Sequence, residues 1–326
     1  MVDATPQLAW RWQPALFAAV CAVPAAIVTA DDLSRGLALA FGVVPAAAVG
    51  VPPSRSRRVM IVIVGAAIAV GLLTGSVLGH VPVIAVWGLF LAGLGAALWA
   101  ARAGVGALAM MLVVPMIAAG LGFDGVDAAA GIATLLVAGS LVTWLVSLVW
   151  PDVPSNRASD AAAPPLAAID AVDYGLRLGA AGALCAAISF IAGFDHEGWA
   201  AAACLLVMRP NPAMVRLRGA GRAAFVTAGA TAAALLTELD PPNAVWAVVI
   251  VLDLILLAGT RASRWYVTGG FTTFIVISLT IHADAEHGAD AFAERVLETL
   301  VGVTVALVFG SIHLRRRIAG APSIAT

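Results

Sequence analysis

Asp253 is a single acidic residue in the middle of the hydrophobic segment 248–258. At least four apolar residues flank it on either side, so a membrane-spanning helix would place it near the centre of the bilayer. A charge at that depth costs about 2.5–3.5 kcal/mol on insertion scales and is usually paired, or lies beside water. We therefore predict that Asp253 takes part in moving an ion or a polar solute. The alternative is a structural aspartate that is hydrogen-bonded to a neighbouring helix.

Two arginines and one glutamate complete the predicted ionic set. Arg177 begins a hydrophobic segment and could reach the headgroups, pair with Asp253, or bind an anion, because guanidinium matches carboxylates in geometry. Arg295 stands on the side of the predicted membrane where acidic residues collect, and Glu298 follows three residues later on the same helical face. That pair is either a local ion pair or a charge gate at the outer side.

Breaks in the hydrophobic segments give a second set of candidates. Gly269-Gly270 precedes Thr272 and Thr273 in the segment 266–281, and we place both threonines on the substrate or ion pathway. Interrupted helices at matching positions in two halves are a good sequence indication of a transporter binding site. Ordinary helix irregularity is the alternative explanation.

Composition identifies the class of protein that must position these residues. Hydrophobic residues make up 62% of the 326 and charged residues 11%, whereas soluble domains carry about 25% charged residues. We therefore expect an all-α polytopic membrane protein. Every basic residue is arginine; without lysine, a Walker A phosphate loop and Schiff-base catalysis are excluded. The three cysteines lie in apolar segments and are interpreted as packing residues, and no cofactor, metal or nucleic-acid site is predicted.

Hydrophobic runs of membrane-spanning length predict about twelve transmembrane helices. The predicted spans are 13–30, 37–51, 59–78, 81–100, 104–121, 129–150, 174–193, 198–208, 222–237, 243–259, 266–281 and 295–313. All arginines except Arg35 and Arg295 fall on one side of these spans, and most acidic residues of the loops fall on the other. The positive-inside rule then places both termini in the cytoplasm, as a multi-pass protein of a bacterial plasma (inner) membrane.

The chain divides into two six-span halves. We predict a first half at 1–150, a cytoplasmic linker rich in Pro, Ser, Asp and Ala at 151–169, a second half at 170–318 and a cytoplasmic tail at 319–326. Matching residues recur 163 or 164 apart, which predicts two parallel repeats. The pairs are Asp127 with Asp290, Gly139 with Gly302, Arg58 with Arg222 and Gly65 with Gly229. The seven-residue spacing of Arg222 to Gly229 returns in Arg295 to Gly302, three spans later, as an inverted three-helix repeat would give.

Short motifs in the second half carry a resemblance to a known family. They are His196-Glu-Gly-Trp199, the turn Arg209–Pro212, Arg222 with Gly229, and Arg295-x-x-Glu-Thr299-x-x-Gly302. With these motifs the chain resembles the fusaric acid resistance protein-like family, whose members are also described as aromatic acid exporters and whose distant plant relatives are malate channels. Thr227 lies five residues after Arg222, where the family pattern expects four. The resemblance implies six-helix units and export of organic acids.

From these observations we expect a secondary transporter, not an enzyme. It would export organic acids, aromatic ones among them, with proton coupling through Asp253, while Arg177 and Arg295 meet the anionic substrate or hold their partners. Two alternatives stay open: a passive channel for small anions, and a membrane structural or assembly protein without transport. Expected partners are a small organic anion, protons and the lipid bilayer, and a homodimer is left open.

Overall fold

The structure is a computed structural model that describes residues 8–103, 109–123, 125–151, 168–263, 266–283 and 288–312. Every regular element in these ranges is a helix, and there are twelve α-helices. They are α1 (Trp12–Asp31), α2 (Leu33–Val49), α3 (Met60–Gly79), α4 (Pro82–Arg102), α5 (Val114–Gly120), α6 (Val126–Val149), α7 (Ala168–Ala192), α8 (Trp199–Val207), α9 (Pro212–Glu238), α10 (Asn243–Gly259), α11 (Tyr266–Ala283) and α12 (Gly288–Ser311).

Each predicted hydrophobic segment corresponds to one α-helix, in order, and the all-helical class is confirmed. A short 3₁₀ helix, Arg55–Val59, leads into α3, and a π-helical turn, Ala109–Val113, leads into α5. Pro115 has no N–H to donate to a preceding carbonyl, which accounts for the irregular turn before it. Most of the predicted linker, and the tail at 319–326, lie outside the described residues.

The apolar helices make this a multi-pass membrane protein. Six are long and apolar enough to cross a membrane, namely α1, α3 with its 3₁₀ turn, α4, α6, α7 and α9. Among the shorter apolar helices are α2, α10, α11 and the α5 segment. Twelve spans therefore stays a prediction.

The start of α9 differs from the prediction by ten residues. The side chain of Asn211 accepts a hydrogen bond from the Ala213 N–H at 2.9 Å, and Pro212 occupies the first turn of the helix. Both residues favour a helix start. The sequence between them and Arg222 is rich in arginine and glycine, which is why we predicted a loop there. Arg222 consequently lies inside α9.

Helix packing in the two halves follows one scheme. In the first half, α2 packs on α1 and α6, and α3 packs on α5 and α6. The helices six places later, α8 on α7 and α12 and α9 on α11 and α12, make the same contacts. The halves meet where α1 packs on α10 and α4 on α7. Two repeats would produce this correspondence, and the repeat itself stays a prediction.

Small residues allow these helices to cross closely. A Cβ on Gly75 of α3 would clash with the Ile117 carbonyl oxygen and lie 2.7 Å from the Gly120 Cα of α5. Gly79 meets the Leu121 carbonyl of the same segment. The Gly75-x-x-x-Gly79 motif therefore serves packing within the chain by letting two backbones approach.

Candidate functional site

The candidate site is built around Arg295 near the beginning of α12. Its guanidinium carbon lies 4.3 Å from the ring centroid of Trp199, the first residue of α8. The other face of the indole has its own neighbour: the His196 ring stacks on Trp199 with centroids 4.0 Å apart and an interplanar angle of 20°. A cation over an indole face is attracted by the ring quadrupole, most strongly where water is excluded.

The crossing of α8 and α12 positions this stack. A Cβ on Gly302 would clash with the Ala200 carbonyl oxygen and lie 2.9 Å from the Ala203 Cβ, so only glycine permits the approach. Arg295 stands two turns before Gly302 and is thereby held against Trp199, which begins α8. We predicted Arg295 as a site residue, whereas Trp199 was named only as part of the family motif. Trp199 is buried.

Glu298 lies one turn after Arg295 and is completely buried, with 0% of its surface exposed. Neither of its carboxyl oxygens has a hydrogen-bond partner among the described residues, and the same is true of the Arg295 Nε and Nη1 atoms. The two groups attract each other electrostatically. Buried polar groups in proteins nearly always have partners, so unsatisfied ones call for an explanation such as a ligand or water site.

A polar contact lies beside the stack of His196 and Trp199. The Glu294 carboxylate lies 3.5 Å from His196 Nδ1 and accepts a hydrogen bond from the His196 backbone N–H at 3.4 Å. The Thr299 hydroxyl donates to the Arg295 carbonyl oxygen at 2.8 Å, within α12. His196 was not distinguished from other outer histidines by sequence. The structure places it within the stack.

Arg222 is a buried arginine that sequence reasoning did not place in the site. It is 5% exposed, and its Nε has no hydrogen-bond partner in the described part of the chain. Its Nη1 lies 3.9 Å from the position that a Cβ on Gly269 of α11 would take. Arg222 and Arg295 are close enough to repel each other. The signal that could have found it was the spacing to glycine that Arg222 shares with Arg295, which we used as evidence of repetition and of the family resemblance.

Asp253 faces the protein interior, with 6% of its surface exposed. It lies on α10 among the buried residues Ile250, Leu254 and Leu257. A hydrogen bond to a neighbouring helix was the structural alternative for this residue, and the Oδ2 atom has no hydrogen-bond partner within the described ranges. Asp253 is therefore a buried carboxyl beside apolar residues of its own helix.

Arg177 does not pair with Asp253. Its Nη2 donates to the Asp173 carboxylate at 2.7 Å, one turn earlier on α7, and its guanidinium carbon lies 6.0 Å from the Tyr174 ring centroid. The physical reason is that α7 packs on α4 and α10 packs on α1. Of the three roles considered for Arg177, pairing with Asp253 is not observed, and the residue forms a local ion pair with Asp173 instead. The Arg177 Nη1 atom is without a hydrogen-bond partner among the residues described.

The two predicted threonines lie on α11. The Thr272 hydroxyl donates within its own helix, to Thr268 O at 3.2 Å and Gly269 O at 3.1 Å, and Thr273 is buried. Since Gly269 lies close to the Arg222 guanidinium, this part of α11 lies beside Arg222. The described residues contain no group of three or more His, Cys, Asp or Glu side chains that could hold a metal ion.

Arg58 shows what a structural buried arginine looks like in this fold. It is fully buried and donates to the backbone carbonyls of Ser147, Trp150 (2.8 Å), Pro151 (3.2 Å) and Pro52 (3.3 Å). These carbonyls lie at the end of α6 and in the segment before the 3₁₀ helix. A cation at a helix C-terminus satisfies carbonyls that have no intrahelical donor.

Comparison with known families supports the resemblance seen in the motifs. Residues 184–309 match the family model of fusaric acid resistance protein-like proteins. The matched region includes Trp199, Arg222, Asp253, Arg295 and Glu298. Neither the curated proteins nor the solved structures contain a match to this chain. The resemblance to the family is thereby confirmed over the second half of the chain.

Proposed function

We propose that this membrane protein, similar to the fusaric acid resistance family, is a secondary transporter that exports organic acids, aromatic ones among them, with proton coupling. The observation that carries the proposal is the Trp199–Arg295–Glu298 arrangement. It combines a buried cation, an aromatic face and a buried carboxyl, with polar atoms on both charged groups that are not satisfied by the described protein.

The chemistry of these groups suits an organic anion. A guanidinium binds a carboxylate through short, charge-assisted hydrogen bonds, each worth about 1.5–3 kcal/mol. Trp199 and His196 add ring surface beside that charge, and aromatic pairs contribute about 0.5–1.5 kcal/mol beyond the area they bury. An aromatic carboxylate could use both features at once.

Proton coupling would follow from competition between Glu298 and the substrate anion for the Arg295 guanidinium. An ionised Glu298 attracts the guanidinium, and a protonated Glu298 leaves it available to an external anion. Asp253 is the second carboxyl in this half that could carry a proton, since it is buried among apolar residues. An inside-negative potential would favour outward movement of an anion by about 2.3 kcal/mol per charge per 100 mV.

The proposal includes the arrangement in the membrane. We propose twelve spans in two parallel six-helix repeats, with both termini in the cytoplasm of a bacterial cell. The arginine distribution supports the orientation. The matching helix contacts of the two halves support the repeats.

A passive anion channel is the second candidate function. The observation that favours it is the pair of buried arginines, Arg222 and Arg295, on the packed helices α9 and α12. Two cations that are close enough to interact electrostatically could bind a permeating anion one after the other.

Transport by purified protein in liposomes tests the proposal. Radiolabelled benzoate serves as the probe, loaded with or without a pH gradient, and unlabelled benzoate on the opposite side tests counterflow. A carrier exchanges label against its gradient, and a channel does not. Arg295→Gln should strongly reduce the flux at low benzoate concentration, and Arg102→Gln, at the exposed end of α4, is the matched control. Proton-independent flux without counterflow would favour the channel. Absence of flux for benzoate and for a panel of organic acids would contradict transport of this substrate class.

A further inference from the structure

A cavity of about 360 Å³ lies away from the Arg295 site, at the end of the molecule where α1 begins and α2, α6 and α10 end. Its lining combines two cationic side chains with three aromatic rings: Arg11, Arg261, Trp12, Phe17 and Trp150. Small residues of α2, α10 and the turn after α2 complete the wall. None of these residues belongs to the candidate transport site.

The walls of the cavity are fixed by specific contacts. The Arg11 backbone N–H donates to the Gly259 carbonyl oxygen at 2.8 Å, which holds the residue before α1 against the end of α10. Ser263 accepts from the Ala9 N–H at 2.8 Å. On the opposite wall the Phe17 and Trp150 rings meet edge to face with centroids 5.2 Å apart.

Two guanidinium groups therefore share one cavity. Burial, and secondly the positive charge of Arg11, lower the pKa of Arg261 below the ordinary arginine value. Helix C-termini carry partial negative charge and attract cations, which accounts for basic residues at this end. Two guanidinium groups lining one cavity also offer several N–H donors to a single anion, and guanidinium binds phosphate through paired hydrogen bonds.

The exposed apolar face of α1 indicates which anion fits. Trp12 lines the cavity and is 70% exposed. It begins a stripe of exposed apolar side chains that continues along α1 through Leu16, Val20, Val23 and Ile27. These residues recur at intervals of three or four, so they lie on one helical face. A ligand with its charge in the cavity could lay a hydrocarbon chain along this stripe.

We propose that this cavity binds the phosphate headgroup of an anionic phospholipid, with Arg11 and Arg261 as the phosphate ligands and an acyl chain along the exposed face of α1. Tryptophans are enriched at the membrane–water interface, where Trp10 and Trp12 would lie. Basic pockets between transmembrane helices are suitable headgroup sites. The inference uses the membrane location and is independent of the transported substrate.

Native mass spectrometry of the full-length, delipidated protein in mild detergent tests this site. The probes are phosphatidylglycerol and phosphatidylcholine with identical acyl chains, and glycerol 3-phosphate as the headgroup without a chain. We expect one tightly bound phosphatidylglycerol, and an affinity about 30-fold lower in Arg11→Gln/Arg261→Gln, since two charges near the surface contribute about 1 kcal/mol each. Arg57→Gln/Arg102→Gln removes two exposed charges as the matched control and should leave affinity unchanged.

The variants also control for folding. Arg11→Lys/Arg261→Lys keeps both charges and should restore at least part of the affinity that the glutamine variant loses. If the substitutions only caused misfolding, the lysine and glutamine variants would both lose affinity for phosphatidylglycerol. Equal binding of the two phospholipids, or an unchanged affinity in the glutamine variant, would overturn the proposal. Glycerol 3-phosphate binding as tightly as phosphatidylglycerol would overturn the lipid assignment and leave a site for soluble anions. Benzoate transport does not enter any of these measurements.

Discussion

Replacing Arg58 and Arg295 by glutamine, one at a time, should give opposite results in stability and in transport. Both arginines are buried, and each lies in one half of the chain. They differ in their surroundings, because Arg58 donates to four backbone carbonyls and Arg295 has two nitrogens without partners in the described structure. If a buried cation without partners acts in transport and one with partners stabilises the fold, the two substitutions should affect different properties.

The magnitude for Arg58 follows from its hydrogen bonds. Each bond from a charged donor contributes about 1.5–3 kcal/mol, and a glutamine amide could restore one of the four. Such contributions are not additive, and single substitutions rarely exceed about 4–5 kcal/mol. We therefore expect Arg58→Gln to lower the free energy of unfolding by about 3–5 kcal/mol. Arg57→Gln, one residue earlier and exposed, should change it by less than about 0.5 kcal/mol.

The magnitude for Arg295 is smaller because two effects oppose each other. Its cation–π contact with Trp199 at 4.3 Å is worth about 2 kcal/mol in a desolvated setting. Glutamine removes that contact but also removes a buried charge whose desolvation is incompletely compensated. The net change in the free energy of unfolding should stay within about 1 kcal/mol. Loss of a charge-assisted bond to substrate, about 1.5–3 kcal/mol, predicts an apparent affinity about 10- to 150-fold weaker.

Equilibrium unfolding in mixed micelles measures the first quantity for all three variants, and benzoate flux into liposomes measures the second. We expect Arg58→Gln to be less stable to unfolding than the unsubstituted protein, and Arg295→Gln to be about as stable but deficient in transport. If Arg295→Gln unfolds as readily as Arg58→Gln, Arg295 is a structural residue. If it is stable and transports normally, the unsatisfied nitrogens have no role in substrate binding.

Three further predictions test other parts of the structure. Asp253→Asn should change the free energy of unfolding by less than about 1 kcal/mol, because its Oδ2 has no hydrogen bond to lose within the described residues. The same substitution should abolish proton-dependent flux. Normal proton dependence would leave Glu298 as the coupling residue. Gly75→Ala should cost about 1–3 kcal/mol in a stability assay by separating α3 from α5, whereas Gly95→Ala, with open space around it, should be neutral. A reporter active only in the periplasm, fused after Arg317, should give no signal, and a strong signal would reverse the proposed orientation.

The positions of the helices were largely predictable from hydrophobicity, and the exception is instructive. Each hydrophobic run became one helix because membrane-spanning or buried segments must satisfy their backbone groups internally. The start of α9 was missed because a hydropathy scale treats every arginine as polar, whether its side chain is exposed or buried. Arg222 is polar in sequence and buried in the fold, and only the Asn211-Pro212 start signal indicated the longer helix.

The site was predictable where a single helix determined it. The place of Asp253 in the middle of a helix followed from its apolar flanks, and its interior position agrees with the cost of exposing a carboxylate to lipid. The partner of Arg177 could also have been read from spacing, since Asp173 lies four residues before it on α7. The stack of Trp199 and Arg295 was not predictable in this way. It depends on the crossing of α8 and α12, which brings together residues that no local pattern connects.

Three buried arginines that precede a glycine by seven residues show how one motif is used in two ways. Arg58 holds this position just before α3, Arg222 within α9 and Arg295 on α12, whereas Arg35, seven residues before Gly42, is exposed. At the corresponding place on α6, seven residues before Gly139, the residue is Ile132. In the proposed repeats, therefore, the first half has one such arginine and the second half has two.

The difference lies in what surrounds each guanidinium. Arg58 stands in the 3₁₀ turn before α3, where the end of α6 supplies carbonyl oxygens. Arg222 lies ten residues inside α9, beside glycines of α11 that present no acceptor side chain. Moving the same residue from a helix end to a helix interior thus converts a cap into a buried cation that is available to a ligand. On this argument the first half chiefly supports the fold, and substitutions that alter transport while sparing stability should concentrate in the second half.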